Sequence, residues 1–220
     1  MRIHNLSDHN SVLNNFLKEI RHVDIQKDAL RFRRNIERIG EVMAIEVSKA
    51  LDYQTEQVPT PLGTAPVQTV ADSVVVGTLL RAGLPMHQGF LNIFDHAENA
   101  FISAFRQMET DAQGQQHLQI VSEYLAAPSL EGKTLILVDP MLASGMSMDV
   151  AYQAMRGHGM PKRLHLCSII AAPEGVRYLE EHMPEETTLW CAAIDERLNE
   201  HKYIVPGLGD AGDLCFGDKL

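Results

Sequence analysis

The segment 135–147, with the sequence LILVDPMLASGMS, constrains the fold more than any other part of the chain. It begins with a continuous aliphatic run, which is typical of a strand buried on both faces of a parallel sheet. Asp139 and Pro140 end this run at the point where open α/β sheets bind their ligands. The small residues that follow leave backbone N–H groups free to surround a phosphate at the start of the next helix. The segment therefore predicts a sugar-phosphate site at a strand end.

Composition excludes several classes of protein. The chain has 220 residues, of which 45% are hydrophobic and 22% charged, and this is enough to bury one substantial core. A net charge of −10 disfavours a polyanionic partner, so we expect no nucleic acid. Three cysteines without a Cys-x-x-Cys pair argue against both a disulfide framework and a zinc site. We find no export signal and no uninterrupted apolar run of about 18 residues, so we expect a cytoplasmic protein without a membrane segment.

Strand-like and helix-like segments alternate along the chain. Besides the strand at 135–138, we predict strands at 74–80, 101–106, 164–172 and 189–194. We predict helices at 28–51, 85–94, 148–158 and 173–182. This alternation predicts an α/β fold with a mostly parallel sheet and helices on both faces.

Four segments need separate interpretation. The arginine-rich helix at 28–51 is interpreted as a solvated or dimer-facing helix rather than a polyanion site. Prolines and a glycine at 59–66 predict a loop. The polar stretch 107–127 is consistent with a projecting hairpin arm or a mobile lid. The glycine-rich stretch 203–218 is too broken for a helix or a long strand, and its apolar residues predict an anchored loop.

Two arginines are expected to share one sheet edge with Asp139. Arg81 follows the strand at 74–80, and Arg106 ends the strand at 101–106. An isolated arginine is more often part of a surface ion pair, but parallel strand ends meet at one edge, where two guanidinium groups can converge on phosphates. Neither a Walker loop nor a Gly-x-Gly-x-x-Gly fingerprint is present. Asp139 suits a sugar hydroxyl, and the amides of 143–147 suit a terminal phosphate.

Several motifs together carry a family resemblance. They are LRAG at 80–83, DPMLASG at 139–145, AAPEG at 171–175 and LNEHKYIVPGLGDAGD at 198–213, supported by FRRNIERIGEVMAIE at 32–46 and TPLG at 60–63. In this order, and over most of the chain, they resemble the uracil phosphoribosyltransferases.

The resemblance implies a type I phosphoribosyltransferase fold with a C-terminal hood and a β-arm. It implies one domain over 1–220, with an N-terminal helical region at 1–60, the arm at 107–127 and a uracil-binding region at 195–220. The implied reaction transfers ribose 5-phosphate from phosphoribosyl pyrophosphate (PRPP) to uracil, giving UMP and pyrophosphate in pyrimidine salvage. It further implies Mg²⁺ carried by PRPP rather than by a protein ligand set, GTP as an allosteric activator, and a homodimer or higher homo-oligomer.

The resemblance also implies roles for individual residues. Arg81, Arg106 and Asp210 are the implied catalytic residues, the two arginines on the pyrophosphate and Asp210 close to the ribosyl donor and its metal. The implied PRPP-binding residues are these three together with Asp139, Pro140, Met141, Leu142, Ala143, Ser144, Gly145, Met146 and Ser147. Uracil is implied to pair with Ile204, Gly209, Asp210 and Ala211, largely through backbone atoms.

The chain departs from the family pattern in three places. Met146 stands where the family has a glycine, Leu214 stands where it has a basic residue, and the arm lysine has no counterpart in 107–127. If position 146 needs a positive φ, the methionine strains the loop. These departures leave open an alternative in which a non-catalytic or altered-substrate relative binds a phosphoribosyl compound or nucleotide and acts as a regulator.

Overall fold

The structure is a computed structural model, and it describes the backbone of residues 1–110 and 116–219 and the side chains of residues 1–103 and 124–219. The strands are β1 (Arg2–Asn5), β2 (Tyr53–Thr60), β3 (Gly63–Val70), β4 (Val74–Leu80), β5 (Glu98–Thr110), β6 (Gln116–Ala126), β7 (Thr134–Val138), β8 (Met141–Leu142), β9 (Arg163–Ala171), β10 (Thr188–Ile194), β11 (Arg197–Leu198) and β12 (Ile204–Val205). The helices are α1 (Leu13–Arg21), α2 (Ala29–Ser48), α3 (Gly83–Leu91), α4 (Met146–Met155), α5 (Pro173–His182) and α6 (Ala211–Phe216), with 3₁₀ turns at Leu6–Asp8 and Arg156–His158.

An eight-stranded sheet organises the chain. Its order is β1-β10-β9-β7-β4-β5-β6, and β8 adds a short pairing to β9. All these pairs are parallel except β5 with β6, which is antiparallel. The α/β class and the mostly parallel sheet predicted from the sequence are therefore confirmed, with β7 and β4 at the centre.

The sheet separates two apolar layers because its central strands are buried on both faces. Along β7, Ile136 and Val138 pack with helices α1, α2 and α3, whereas Leu135 and Leu137 pack with α4 and α5. Successive strand residues point to opposite faces, so an unbroken aliphatic run supplies both layers. None of the helices that the structure describes is both long and apolar enough to cross a membrane.

Helices α2 and α3 pack against each other through glycine. A Cβ added at Gly89 would lie 2.1 Å from the carbonyl oxygen of Glu37, and one added at Gly40 would lie 2.6 Å from that of Met86. No side chain fits at that separation, so the two backbones can approach only because both positions are glycine. This contact holds α3 directly behind the end of β4.

The loop predicted at 59–66 is wrong, because β2 and β3 form an antiparallel hairpin there. The two strands make a separate two-stranded sheet, and every residue of β2 is exposed. In such a ribbon both strands are edges, so a proline can leave its missing N–H on the solvent side. Pro59 and Pro66 therefore sit inside the strands rather than ending them.

The root of this hairpin is fixed to the sheet by Asp72, whose side chain is fully buried. Its carboxylate accepts hydrogen bonds from the Asp52 backbone N–H at 2.7 Å and from Thr134 Oγ1 at 3.1 Å. It also forms ion pairs with Lys162 and Arg163. A buried carboxylate with these hydrogen bonds and ion pairs connects the exposed hairpin to the amino-terminal ends of β7 and β9.

Two other predictions need correction. The strand at 101–106 is longer than predicted, because β5 runs from Glu98 to Thr110 and Arg106 lies inside it, opposite Ile120 of β6. The stretch 203–218 does contain a helix, α6, which Asp210 caps by accepting a hydrogen bond from the Asp213 backbone N–H at 3.0 Å. A side-chain cap lets a six-residue helix form in a glycine-rich segment.

Candidate active site

A cavity of about 890 Å³ opens at the carboxyl ends of β4 and β7. Its walls come from the end of β4, the loop after β7, the start of α4 and the C-terminal segment around α6. This is the position at which parallel sheets bind ligands, since strand ends and helix starts meet there. The edge predicted from the sequence is therefore a real concave site.

The loop after β7 forms one wall. Asp139, Met141, Ala143 and Ser147 line the cavity, whereas Pro140 and Leu142 of the same loop are buried and do not line it. The Asp139 carboxylate accepts a hydrogen bond from the Met141 backbone N–H at 3.3 Å. Burial raises the pKa of Asp139 to about 7, an effect that this hydrogen bond only partly offsets.

Gly145, rather than Met146, takes the left-handed conformation in this loop. Gly145 has a φ of 84°, and a Cβ there would lie 2.9 Å from the Gly175 carbonyl oxygen. Met146 is the first residue of α4 and has no positive φ. Position 146 does not need a positive φ, so the methionine introduces no backbone strain into the loop. Ser144, Gly145 and Met146 are not among the described residues that line the cavity.

Arg81 connects the end of β4 to the C-terminal helix. Its guanidinium Nη2 lies 2.9 Å from Asp213 Oδ1 and 3.3 Å from the carbonyl oxygen of Gly217. The Leu80–Arg81 peptide is cis. Arg81 lines the cavity, as predicted, while its ion pair lies on the α6 side.

The C-terminal segment forms the opposite wall. Ile204, Gly209, Asp210 and Ala211, which are the four residues that the resemblance assigned to uracil, all line the cavity. Gly207 and Gly209 have φ values of 60° and 95°, and the Val205–Pro206 peptide is cis. Positive φ values at glycine turn the chain sharply, so main-chain groups are brought to the cavity surface.

Asp210 carries a charge at this wall. Burial opposes its ionisation, but the hydrogen bond from the Asp213 backbone N–H and the Lys219 ammonium, 3.4 Å from Asp210 Oδ2, outweigh it. Together they hold the pKa of Asp210 below its ordinary value. Asp139 and Asp210 thus present two carboxylates whose pKa values are shifted in opposite directions.

The N-terminal helices support this wall. Arg21 makes a two-pronged ion pair with Asp195, at 2.6 and 2.9 Å, and Asp195 also accepts the Gly207 backbone N–H. Arg33, on α2, donates to the carbonyl oxygen of Cys215 at 2.6 Å. The arginine-rich helix therefore holds the C-terminal segment in place, a role that its pattern alone did not indicate.

Arg106 is placed only through its backbone, and its side chain lies outside the described residues. The parallel pairing of β4 with β5 ends at Leu80 opposite Ser103, and Ser103 lines the cavity. Arg106 lies three residues further along β5. Of the arm predicted at 107–127, residues 111–115 also lie outside the described residues, residues 107–110 belong to β5, and residues 116–126 belong to β6.

Sequence reasoning missed several lining residues. Among them are His201, Lys202 and Tyr203, from the turn between β11 and β12, and Lys219 near the C-terminus. Of these four, all but Lys219 lie inside the motif 198–213. The motif therefore pointed to this segment, but it assigned no function to residues 201–203. Leu214, by contrast, packs against the apolar layer that contains α2.

Among residues 1–103 and 124–219, no three histidine, cysteine, aspartate or glutamate side chains lie together as a metal-binding group. All three cysteines are buried and free, and burial raises the pKa of Cys215 to about 12, so its thiol stays protonated.

Comparison with known structures defines the class of fold. The structure of the AQ2163 protein from Aquifex aeolicus matches with a TM-score of 0.82 and 28% identity, covering 98% of both chains. Orotate phosphoribosyltransferase from Mycobacterium tuberculosis, solved in complex with PRPP, matches with a TM-score of 0.50 and 13% identity, over 87% of this chain and 95% of that one. The chain thus has the phosphoribosyltransferase fold.

Sequence comparison then gives the family. The family model described as uracil phosphoribosyltransferase matches residues 7–218. A uracil phosphoribosyltransferase of Porphyromonas gingivalis is 52% identical over 220 residues, which is 100% of each chain. The chain belongs to the uracil phosphoribosyltransferase family, as its motifs predicted.

Proposed function

We propose that this enzyme transfers the 5-phosphoribosyl group of PRPP to N1 of uracil, releasing pyrophosphate and forming UMP for pyrimidine salvage. The proposal rests on one observation: the loop after β7, which carries Asp139, and the glycine-rich C-terminal segment line the same cavity. The first suits a sugar phosphate, and the second suits a small planar base. Membership of the family supports the same pairing of substrates.

The loop after β7 is the proposed donor site. Ribose hydroxyls donate to the Asp139 carboxylate, and the 5-phosphate takes hydrogen bonds from the backbone between Ala143 and Ser147 at the start of α4. The N-terminus of this ten-residue helix favours an anion there. Pro140 and Leu142 are buried within this loop and shape it rather than touching the donor.

The opposite wall is the proposed uracil site. Main-chain N–H and C=O groups of Ile204, Gly209 and Ala211 match the carbonyl acceptors and ring N–H donors of uracil. Cytosine would turn an amino donor toward an N–H group placed for a carbonyl, which leaves both groups unpaired. A mismatch of this kind gives strong discrimination between substrates.

Charge development explains the remaining residues. As the bond from ribose C1 to pyrophosphate breaks, the ribose gains oxocarbenium character and the leaving group gains negative charge. Uracil N1 forms the new bond to C1 and gives up its proton, which the departing pyrophosphate accepts. Arg81 and Arg106 stabilise the leaving group, and the ionised Asp210 stabilises the positively charged ribose side of the reaction. Binding of the uracil ring with N1 in line with ribose C1 lowers the activation barrier further, because the reacting atoms are then held together.

The carboxylates of Asp139 and Asp210 are oxygen ligands of the kind that Mg²⁺ prefers, so the lining fits a metal that enters on PRPP. Bound Mg²⁺ would neutralise charge on the departing pyrophosphate. We propose that Asp210 is the side chain nearest to that metal.

Three further properties are proposed. The exposed hairpin of β2 and β3 carries Val58, Leu62 and Val67 in solvent, which supports assembly into a homodimer or higher oligomer. Three free, buried cysteines support a cytoplasmic location. Activation by GTP rests on the family resemblance alone. Light scattering of the purified protein measures the oligomeric state, and turnover with and without GTP measures the activation.

The test follows pyrophosphate release from PRPP and Mg²⁺ with uracil or cytosine. We expect turnover on uracil and at least about 100-fold less on cytosine. Asp210→Asn keeps an oxygen that can cap α6, so it should retain the melting temperature while kcat falls by at least about 100-fold. Tight PRPP binding without turnover on any pyrimidine base would overturn the proposal and favour the regulatory alternative.

A further inference from the structure

We propose that Lys202 is a donor-binding residue, held in a strained turn so that its ammonium faces the anionic oxygens of PRPP. The proposal rests on the proposed function, because PRPP supplies the polyanion. It adds to the site a residue that the family motif did not identify. Three observations support it: the backbone of Lys202, the turn that holds it, and the charges around the cavity.

The backbone conformation is unusual for a lysine. Lys202 has a φ of 63°, and among the described residues it is the only non-glycine with a positive φ. Side chains with a Cβ are disfavoured there, and only glycine, asparagine and aspartate adopt the conformation readily. A lysine at this position loses folding stability that a glycine would retain. Strain of this kind collects at functional positions.

The turn that contains Lys202 is rigidly held by Asn199. The Asn199 side-chain oxygen accepts the backbone N–H groups of His201 at 3.0 Å and Tyr203 at 2.9 Å. The Asn199 backbone N–H donates to the Tyr203 carbonyl at 2.8 Å, and the Lys202 N–H donates to the Asn199 carbonyl at 3.0 Å. These four bonds determine the backbone around Lys202 whatever its side chain is, so a substitution there leaves the turn in place.

The charges around the cavity leave Lys202 available. Arg81 is paired with Asp213, and Lys219 is paired with Asp210. Lys202 also lines the cavity and interacts electrostatically with Glu174, but no carboxylate among the described residues lies within 4.0 Å of its ammonium. A pyrophosphate and a 5-phosphate carry several negative charges, and charge-assisted hydrogen bonds to phosphate are strong. Lys202 is therefore the lining cation with the least to give up on binding PRPP.

The experiment exploits the opposite signs of strain and binding. Lys202→Gly removes the strain and the charge together, so we expect the melting temperature to rise by about 2–4 °C. The Kd for PRPP with Mg²⁺, measured by titration calorimetry, should increase about 5- to 20-fold. Lys202→Asn also tolerates the positive φ without the charge and should weaken binding equally. Lys202→Arg keeps the charge and should bind within about 3-fold of wild type. Lys27→Ala, at an exposed lysine outside the cavity, is the control and should leave the Kd unchanged.

The outcomes separate this inference from the proposed function. A Kd for PRPP that is unchanged in both Lys202→Gly and Lys202→Asn overturns the inference, even if wild-type turnover on uracil is normal. A fall in melting temperature with Lys202→Gly overturns the strain argument. Wild-type protein that binds PRPP through Lys202 but does not turn over contradicts the proposed function and leaves the inference standing. A larger loss of PRPP affinity on raising the salt concentration in wild type than in Lys202→Asn supports the inference.

Discussion

Replacing Asp139 by asparagine should stabilise the protein at alkaline pH relative to wild type and do so much less at pH 5. Burial raises the pKa of Asp139 from 3.8 to about 7, so the folded protein retains a proton that the unfolded chain has released. Wild-type stability attributable to this group therefore falls as the pH rises through the window from about 4 to about 7, and it stays low above it. Asparagine has no proton to lose, so its contribution does not change with pH.

The structure sets the size of the effect. A shift from 3.8 to about 7 corresponds to a ceiling of about 4 kcal/mol, at 1.36 kcal/mol per pKa unit. Between pH 5 and pH 8.5, about two of those units remain, which gives about 3 kcal/mol. Asp139 lies at a cavity wall and keeps part of its solvent contact, so screening reduces this figure. We expect the difference in unfolding free energy between variant and wild type to grow by about 1–2 kcal/mol over that range.

Urea unfolding of both proteins at pH 5.0 and pH 8.5 measures this difference. Subtracting wild type at each pH cancels every other titrating group. Asp24→Asn, at an exposed carboxylate, measures at each pH the general effect of removing one negative charge. If Asp139→Asn and wild type differ by the same amount at both pH values, the carboxylate is not desolvated and the reasoning is wrong. The variant should also bind PRPP more weakly, because it lacks the ionised acceptor proposed for the ribose hydroxyls.

Two further predictions concern the scaffold. Gly89→Ala places a Cβ 2.1 Å from the Glu37 carbonyl oxygen and should cost about 2–3 kcal/mol in urea unfolding, whereas Gly157→Ala, with nothing within 4 Å, should be nearly neutral; equal stability of the two variants would contradict the glycine contact. Burial lowers the pKa of His165 to about 4, so wild-type stability should fall as the pH drops from 6.5 toward 4, by at most about 3 kcal/mol. His165→Gln, which keeps an acceptor for Trp190 Nε1, should reduce this loss, and an unchanged pH dependence of urea unfolding would refute the assignment.

The central strands were predictable because burial on both faces leaves a continuous apolar pattern. The strand at 74–80 and the helix at 173–182 were predicted with their observed bounds, and the strand at 164–172 was displaced by one residue at each end. The exposed hairpin 53–70 was missed because it buries too little to leave a pattern, and its prolines suggested a loop. The helix α6 was missed because one side-chain cap, rather than periodicity, makes it possible.

The candidate site divides in the same way. The sequence placed Arg81, Arg106 and Asp139 at one sheet edge, since residues that follow parallel strands meet there, and the family resemblance added Asp210. The backbone conformation of each residue could not be predicted from the sequence: Gly145, and not its neighbour Met146, takes the positive φ. The ion pairs of the lining cations also depended on folding, because Lys219 contacts Asp210 only when residues 217–219 fold back to the cavity.

By itself, the sequence determined the α/β class, the family and the sheet edge where chemistry occurs. Apolar runs and strand-end motifs are local patterns, and local patterns survive without coordinates. The tertiary structure alone decided which residues share the cavity, which carboxylate is desolvated and which lining cation has no carboxylate within 4.0 Å among the described residues. Burial, pKa shifts and ion pairing depend on groups that are distant along the chain, and the segment 135–147 acquires the opposite wall of its cavity only when residues 201–219 fold against it.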